Sequence, residues 1–331
     1  MPAERAIFPL DKQLGLNRSV YSPEMAKQMV WLSGLLPYDQ CEQVFARIGE
    51  RMIPASSIWR QTQRQGERIT QQVRKQREQV SIELVKLPDA IHDHDQRKGV
   101  TMDGGMVNIR QQGWRELKVG AIFDIEQRLE RDAQTQVLIE YAHARQTHYT
   151  AAFGGKEVFA GAFWALAVEQ NIPTARESCV CADGAAWIWS IADEYFPVSR
   201  QIVDWFHAVQ HLAQAASSRY PDDELKRQRW FKLQRERLYR GNVEAVMTTL
   251  EKAGLSGEMG YFREHQRRMQ YLEFREEGYP IGSGTVESGV KQFKQRLTGP
   301  GMRWDPQAAE RMVILRAAVL SNDFDALWDA A

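Results

Sequence analysis

Residues 100–110 read VTMDGGMVNIR, a β-branched and apolar run broken by one aspartate and two glycines. The pattern predicts a strand that is largely buried. A carboxylate inside such a strand is costly unless something pairs with it or binds it. Asp103 therefore needs a partner elsewhere in the chain. Gly104 and Gly105 remove side chains where something must approach the backbone closely.

Working outward, ELKVGAIFDI (116–125) and HYTAAFGG (148–155) read as second and third strands, so the three in succession form an antiparallel meander. GKEVFAGAFWALAVEQN (155–171) places Val158, Phe159, Ala162, Phe163 and Leu166 on one helical stripe. SCVCADG (178–184) and SRQIV (199–203) are short strands separated by a helical WIWSIADEYFP, and DWFHAVQHLAQAA (204–216) is an amphipathic helix. Strands first, then helices alternating with strands, indicate an α/β domain with a mixed five-stranded sheet flanked by helices.

Before this domain, SPEMAKQMVWLSGLL begins with an N-cap serine, a proline at the first helical position and an early glutamate, and so predicts a helix from Ser22. A second helix is expected over 39–47 and a third, with a serine cap, from 55. Helix, short turn, helix is the arrangement of a DNA-reading module. Within 55–80, Arg60, Arg64, Arg68, Arg74, Lys75 and Arg77 stand against Glu67 and Glu78, a surplus suited to phosphates. A solvated helix face accounts for it equally well. Leu87 to Gly99 reads as a linker whose HDHD cluster (92–95) faces solvent.

Residues 218–277 form a polar, locally basic helical insertion. Its Arg229 and Lys232, with five further basic residues, surround Trp230, Phe231 and Tyr239. Such interleaving can hold a phosphate backbone and stack bases, although aromatics packed inward are the commoner arrangement. The expected division is therefore a helical DNA-binding domain and linker over 1–97, a catalytic core over 98–217, the insertion over 218–277, and returning core helices over 278–331.

The 331 residues carry 43 basic and 43 acidic side chains, which excludes a global charge argument for nucleic acid or membrane. Any anion site must be local. Three cysteines give neither a disulfide framework nor a zinc pattern, and no apolar run is long enough to span a membrane. A cytoplasmic protein is expected.

Two further carboxylates match Asp103. Asp183 ends the fourth strand and is followed by glycine. Glu287, in GYPIGSGTVESGVKQFKQRLTGPGMRW, falls in the first turn of a helix starting near Thr285, with Lys291 and Lys294 behind it on one face. Singly, an Asp-Gly is a turn signal and a first-turn glutamate complements the helix dipole. Together, acidic residues at comparable strand positions can meet, and a metal would relieve their repulsion.

The stretches TMDGGMVNIRQQGWRELKVG, CADGAAWIWSIADEYFPVSRQIVDWFHAVQHL and IGSGTVESGVKQFKQRLTGPGMRW resemble bacterial insertion-sequence transposases of the Kra type, related to the Mutator-like group. The resemblance runs from FPLDKQLGL (8–16) almost to the C-terminal end. It implies a ribonuclease-H-like fold with Asp103, Asp183 and Glu287 as the catalytic triplet, holding two Mg²⁺ or Mn²⁺ ions. It also implies the insertion before the glutamate helix, and Asp204 and His207 as a D-x-x-H signature beside the site. The expected activity is cleavage at transposon ends and strand transfer into target DNA by a homo-oligomer assembled on DNA. Lys291, Lys294 and Arg296 are expected along the backbone. Such proteins often carry a cysteine-bearing segment ahead of the FPLD-like stretch, whereas this chain opens seven residues before it, as a truncated copy would. A nuclease without strand transfer, or a DNA-binding protein with purely structural carboxylates, are the rival expectations.

Overall fold

The computed structural model describes residues 20–80, 94–131, 136 and 138–331. The FPLDKQLGL stretch and the side chains of the HDHD cluster lie outside the described residues. The chain divides into two compact units. One groups residues 1–79, 107–115 and 292–331; the other groups 80–106 and 116–291. The last 40 residues thus group with the N-terminal helices and with residues 107–115, where Trp304 bridges Ile109.

The larger unit is built on five strands: β1 (His94–Ile109), β2 (Gly113–Arg131), β3 (Leu138–Phe153), β4 (Ala175–Ala182) and β5 (Arg200–Val203), with spatial order β3-β2-β1-β4-β5. β2 and β3 run antiparallel, whereas β1, β4 and β5 are parallel, with Val100 beside Val180 and Ala182 beside Val203. The parallel half needs both faces covered, which explains why β4 reads as a near-continuous apolar run instead of alternating. The strands are longer than the sequence suggested. β1 begins at His94, inside the expected linker, and β3 begins at Leu138 because polar outer residues there still pair in register with β2.

Helix α4 (Lys156–Glu169) lays Phe159 and Phe163 on the sheet, both fully buried. Each contributes roughly 1.5–3 kcal/mol through area removed from water. Gly120 on β2 makes this possible, since a Cβ there would lie 2.5 Å from the Phe163 ring. α5 (Ala186–Tyr195) and α6 (Trp205–Arg219) complete the framework. The insertion is α7 (Glu224–Tyr239), α8 (Val243–Lys252), α9 (Ser256–Glu264) and α10 (Tyr271–Glu276). Its Leu238, Val246, Leu250, Phe262 and Phe274 join the same core as the sheet. Trp230 and Phe231 lean against that core, and the Tyr239 ring packs on Trp205 with Arg275 over it at 3.6 Å. These aromatics are therefore used for packing, the commoner of the two arrangements, and not for stacking bases. Arg229 and Lys232 remain exposed.

The smaller unit contains α1 (Pro23–Leu35), α2 (Tyr38–Arg47), α3 (Ala55–Glu78), α12 (Pro306–Leu320) and α13 (Phe324–Ala330), while the helix α11 (Gly284–Leu297) belongs to the larger unit through residue 291 and to the smaller one from residue 292. Ser22 caps α1 by accepting the Met25 N–H at 3.2 Å. α3 has no serine cap: its N-cap is Pro54, and the Ala55 N–H is taken by Glu42 Oε2 at 2.9 Å. Val30 and Ile69 share a core with Leu315 and Phe324, while Met29, Cys41, Phe45 and Ile58 form a second. The basic face of α3 is partly committed, because Glu67 binds Arg311 and Arg74 binds Glu310 at 2.7 Å. Arg60 and Arg64 are exposed.

Candidate active site

The parallel register places three aspartates level with one another. Val100 on β1 stands beside Val180 on β4, so three residues further on Asp103 faces Asp183. Ala182 stands beside Val203 on β5, so Asp183 and Asp204 follow each other across the next pair. The Asp204 N–H donates to the Ala182 carbonyl at 2.7 Å and fixes that step. Asp103 lies inside β1, three residues beyond Val100, while Asp183 and Asp204 directly follow β4 and β5, so the carboxylates form a row at the C-terminal edge of the parallel pairing, where ligands of open α/β sheets bind.

Glu287 joins the row through Asp204. Both oxygens of this fully buried aspartate are occupied: Oδ1 accepts from the His207 N–H at 2.8 Å and lies 3.2 Å from His207 Nδ1. Oδ2 accepts from the backbone N–H of Ser283 and from its hydroxyl at 2.8 Å. Ser283 immediately precedes α11, and its hydroxyl also reaches Glu287 Oε1 at 3.4 Å. One aspartate therefore caps α6 and anchors the start of the helix that presents Glu287.

The electrostatics of the row differ along its length. Burial raises the Asp103 carboxyl, and the charges of Asp183 and Glu287 raise it further against the single bond from the Gly104 N–H at 2.6 Å. Burial also works against ionised Asp204, yet the bonds from His207 and Ser283 outweigh it and hold this carboxyl below its ordinary range. His207 is raised, first by its bond to Asp204, then by the charges of Asp204, Asp183 and Glu287 after some loss to burial. Asp183 Oδ1 accepts the Ala185 N–H at 2.9 Å, which orients it at the strand end.

Ligand atoms of Asp204, His207 and Glu287 lie within 4.8 Å of one another and form a group able to hold a metal. Asp204 already has its lone pairs engaged by protein donors, so its place in that group is that of an anchor. Asp103, Asp183 and Glu287 offer hard oxygens and lack cationic partners at ion-pair distance among the described residues. That donor set suits a divalent cation such as Mg²⁺ or Mn²⁺.

The glycines next to Asp103 have a local reason. A Cβ on Gly104 would sit 2.7 Å from Glu116 Oε1 of β2, so the position admits a neighbouring carboxylate, itself held by Lys118, rather than clearing space for a substrate. Gly184, beside Asp183, is needed because a Cβ there would be 2.6 Å from the Tyr261 ring of α9.

The wall provided by the insertion was not legible in sequence. Tyr261 stacks on His211 with ring centroids 3.6 Å apart and meets His265 edge-on at 4.9 Å. Its hydroxyl is buried with no hydrogen-bond partner among the described residues, and burial with the charges of Asp183 and Asp204 pushes it well up. His211 Nδ1 lies 3.1 Å from Glu258 Oε2. Tyr261, His265 and Glu258 sit in no motif, and His211, inside the DWFHAVQHL stretch, was not singled out; the packing of the insertion brings Tyr261 and His265 to Gly184.

Of the expected DNA contacts, Lys291 and Lys294 are exposed on α11. Arg296 is not: it is 1% exposed, donates from Nε to the Ser33 carbonyl at 2.7 Å, and lies against the Tyr38 and Trp304 rings. A guanidinium locked in a helical core cannot run along a phosphate backbone. Comparison with protein-family models and with curated proteins gives no match to this chain.

Proposed function

We propose that the protein is a metal-dependent DNA transposase with a ribonuclease-H-like catalytic core. The observation that carries this reading is the level placement of Asp103, within β1, and Asp183, at the end of the parallel neighbour β4, with Glu287 electrostatically coupled to Asp103 from a helix start. The strand order β3-β2-β1-β4-β5, with the antiparallel pair on one side and parallel strands on the other, supports the fold assignment. The resemblance to Kra-type insertion-sequence transposases supplies the reaction class.

Asp103, Asp183 and Glu287 would hold two Mg²⁺ or Mn²⁺ ions, which activate water and stabilise the leaving oxygen in phosphoryl transfer. The chain's own residues do the rest. Asp204 holds His207 through Nδ1, leaving Nε2 to contact a phosphate or exchange a proton with it. Ser283 fixes the reach of Glu287. Lys291 and Lys294 lie exposed behind Glu287 for the DNA backbone, with Arg229 and Lys232 on the insertion and Arg60 and Arg64 on α3 as further contacts. Assembly as a homo-oligomer on paired DNA ends, in the cytoplasm, belongs to the same reading. No helix among the described residues is long and apolar enough to cross a membrane.

The test is a strand-transfer assay with the genomic ends flanking the coding region, with and without Mg²⁺. Cleavage and joining that require Mg²⁺ and vanish in Asp103→Asn and Glu287→Gln are expected. Cleavage without joining would assign a nuclease instead. DNA binding indifferent to Mg²⁺, with no nicking, would assign a non-enzymatic DNA-binding protein.

A further inference from the structure

At the opposite end of β4 from Asp183 lies a pocket of about 660 Å³ whose lining includes Arg176, Arg200, Arg263, Arg267 and Arg268. It is formed by the first residues of β4 and β5 and by the chain from the end of α9 through residue 268. Along the strand, the five residues from Ser178 to Asp183 separate it from the carboxylate row by roughly 15 Å.

The five arginines outnumber the two acidic residues in the lining, Glu177, which is also 3.9 Å from Arg176, and Glu264, whose charge acts on Arg268. Glu177 is committed to Arg97, whose Nε it accepts at 2.7 Å, and Arg200 pairs with Glu277 at 3.2 Å. Arg263 and Arg267, one helical turn apart, are exposed, and neither has a carboxylate at ion-pair distance among the described residues; Arg263 reaches only the Met259 sulfur at 3.5 Å. Arg268 is half-buried and held entirely by neutral groups. Its Nε donates to Gln201 Oε1 at 2.7 Å, its Nη1 lies 3.2 Å from His265 Nδ1, and its plane lies 4.3 Å from the Trp189 ring. A guanidinium can only donate, so that contact makes His265 Nδ1 the acceptor, and burial, which lowers the imidazole, favours the neutral ring it requires. A guanidinium fixed by neutral partners and facing a solvent-filled pocket is preorganised for an external anion.

We propose that this pocket binds successive phosphates of a nucleic-acid strand, as a second, sequence-independent docking site that opens at the other end of β4 from Asp183. The inference rests on the proposed function for its choice of nucleic acid. The pocket is far larger than a single phosphate requires, since about 300–1,000 Å³ accommodates a drug-sized ligand. It has no free aromatic face for a base, because the Tyr279 ring is covered by Arg97 at 4.4 Å and its hydroxyl is directed to Glu177. Contacts are therefore to backbone, which positions DNA without reading it.

The experiment measures binding of a labelled random-sequence duplex to the full chain in EDTA over a KCl series, so no cleavage enters the result. Arg263→Gln/Arg267→Gln is compared with wild type and with Arg128→Gln/Arg145→Gln, which removes the same charge from the β2–β3 hairpin. The pocket variant is expected to bind at least about fivefold more weakly near 100 mM salt. Its log–log salt slope should be shallower by about 2, one contact of about 0.9 for each lost phosphate. A slope and affinity matching the hairpin control would overturn the proposal. So would pyrophosphate raising the wild-type Tm, but not that of the pocket variant, while the DNA salt slope stays unchanged: the pocket would then serve a free polyphosphate. Loss of Mg²⁺-dependent cleavage by wild type in the strand-transfer assay, with the slope difference intact, would remove the transposase reading and leave the docking site standing.

Discussion

Asp103 and Asp204 stand at opposite ends of one row of carboxylates, on β1 and β5, and have opposite fates. Asp204 is fully buried and yet ionises more readily than an ordinary aspartate, because four donor contacts from His207 and Ser283 surround it. Asp103 has one backbone donor, two acidic neighbours and a raised carboxyl. The helical unit makes the same point with opposite sign. Arg296 and Arg316 are buried and donate to the carbonyls of Ser33, Gly34 and Gln292, although Arg296 Nη2 and Arg316 Nε find no acceptor among the described residues and burial lowers both guanidinium groups. A buried charge whose partners are all protein groups belongs to the architecture; one whose nearest neighbours share its sign is waiting for a counter-ion.

The sharpest way to break this contrast is to neutralise each aspartate. Asp103→Asn is expected to reduce Mg²⁺-dependent DNA cleavage by at least about 10³-fold, a loss of about 4 kcal/mol of transition-state stabilisation. The same change should raise Tm in EDTA, since it removes repulsion, and should abolish the Tm increase that Mg²⁺ gives wild type, read by calorimetry. Asp204→Ala is expected to lower both stability and activity. It strands the Ser283 and His207 donors, at a cost of about 2–4 kcal/mol by urea denaturation. Arg296→Ala should cost stability of similar size, about 2–4 kcal/mol, through lost packing and orphaned carbonyls. Its DNA salt slope should stay that of wild type, because this arginine touches no solvent.

The pH dependence follows the same contrast. Asp204 has a depressed folded value, so its stabilising contribution is present above the ordinary value of about 3.9 and disappears as pH falls through the depressed one. His207 has a raised folded value, so its contribution is full below about 6.5 and is lost as pH rises through the raised value. His207→Gln should therefore flatten the stability profile just above pH 6.5, and Asp204→Asn the profile below pH 4. The smallest effect expected is that of Lys291→Gln, a salt slope shallower by about 0.9 with one phosphate contact removed.

Much of this arrangement was legible in the residues. Apolar runs around Asp103 and Asp183 located the strands, and the cap-like IGSG lead-in (281–284) located the helix of Glu287, because local pattern and local propensity agreed there. The order of the strands required one more inference: parallel pairing, in which equal offsets from Val100 and Val180 make the two aspartates level. Arg296 misled because exposure was judged from its neighbours Lys291 and Lys294. In a helix, Arg296 lies two residues after Lys294 and so on another face, which tertiary packing buries. Tyr261 and His265 carry no periodic or motif signal, and only long-range packing of the insertion brings them to Gly184, with Tyr261 stacked on His211.

The most direct test of the counter-ion account is an anomalous difference map from crystals grown with Mn²⁺. Peaks within about 2.0–2.3 Å of carboxylate oxygens of Asp103, Asp183 and Glu287, with Asp204 still bonded to Ser283, are predicted. Mn²⁺ seated on Asp204 and His207 with Asp103 uncoordinated, or no peak in the row at concentrations that support cleavage, would contradict it.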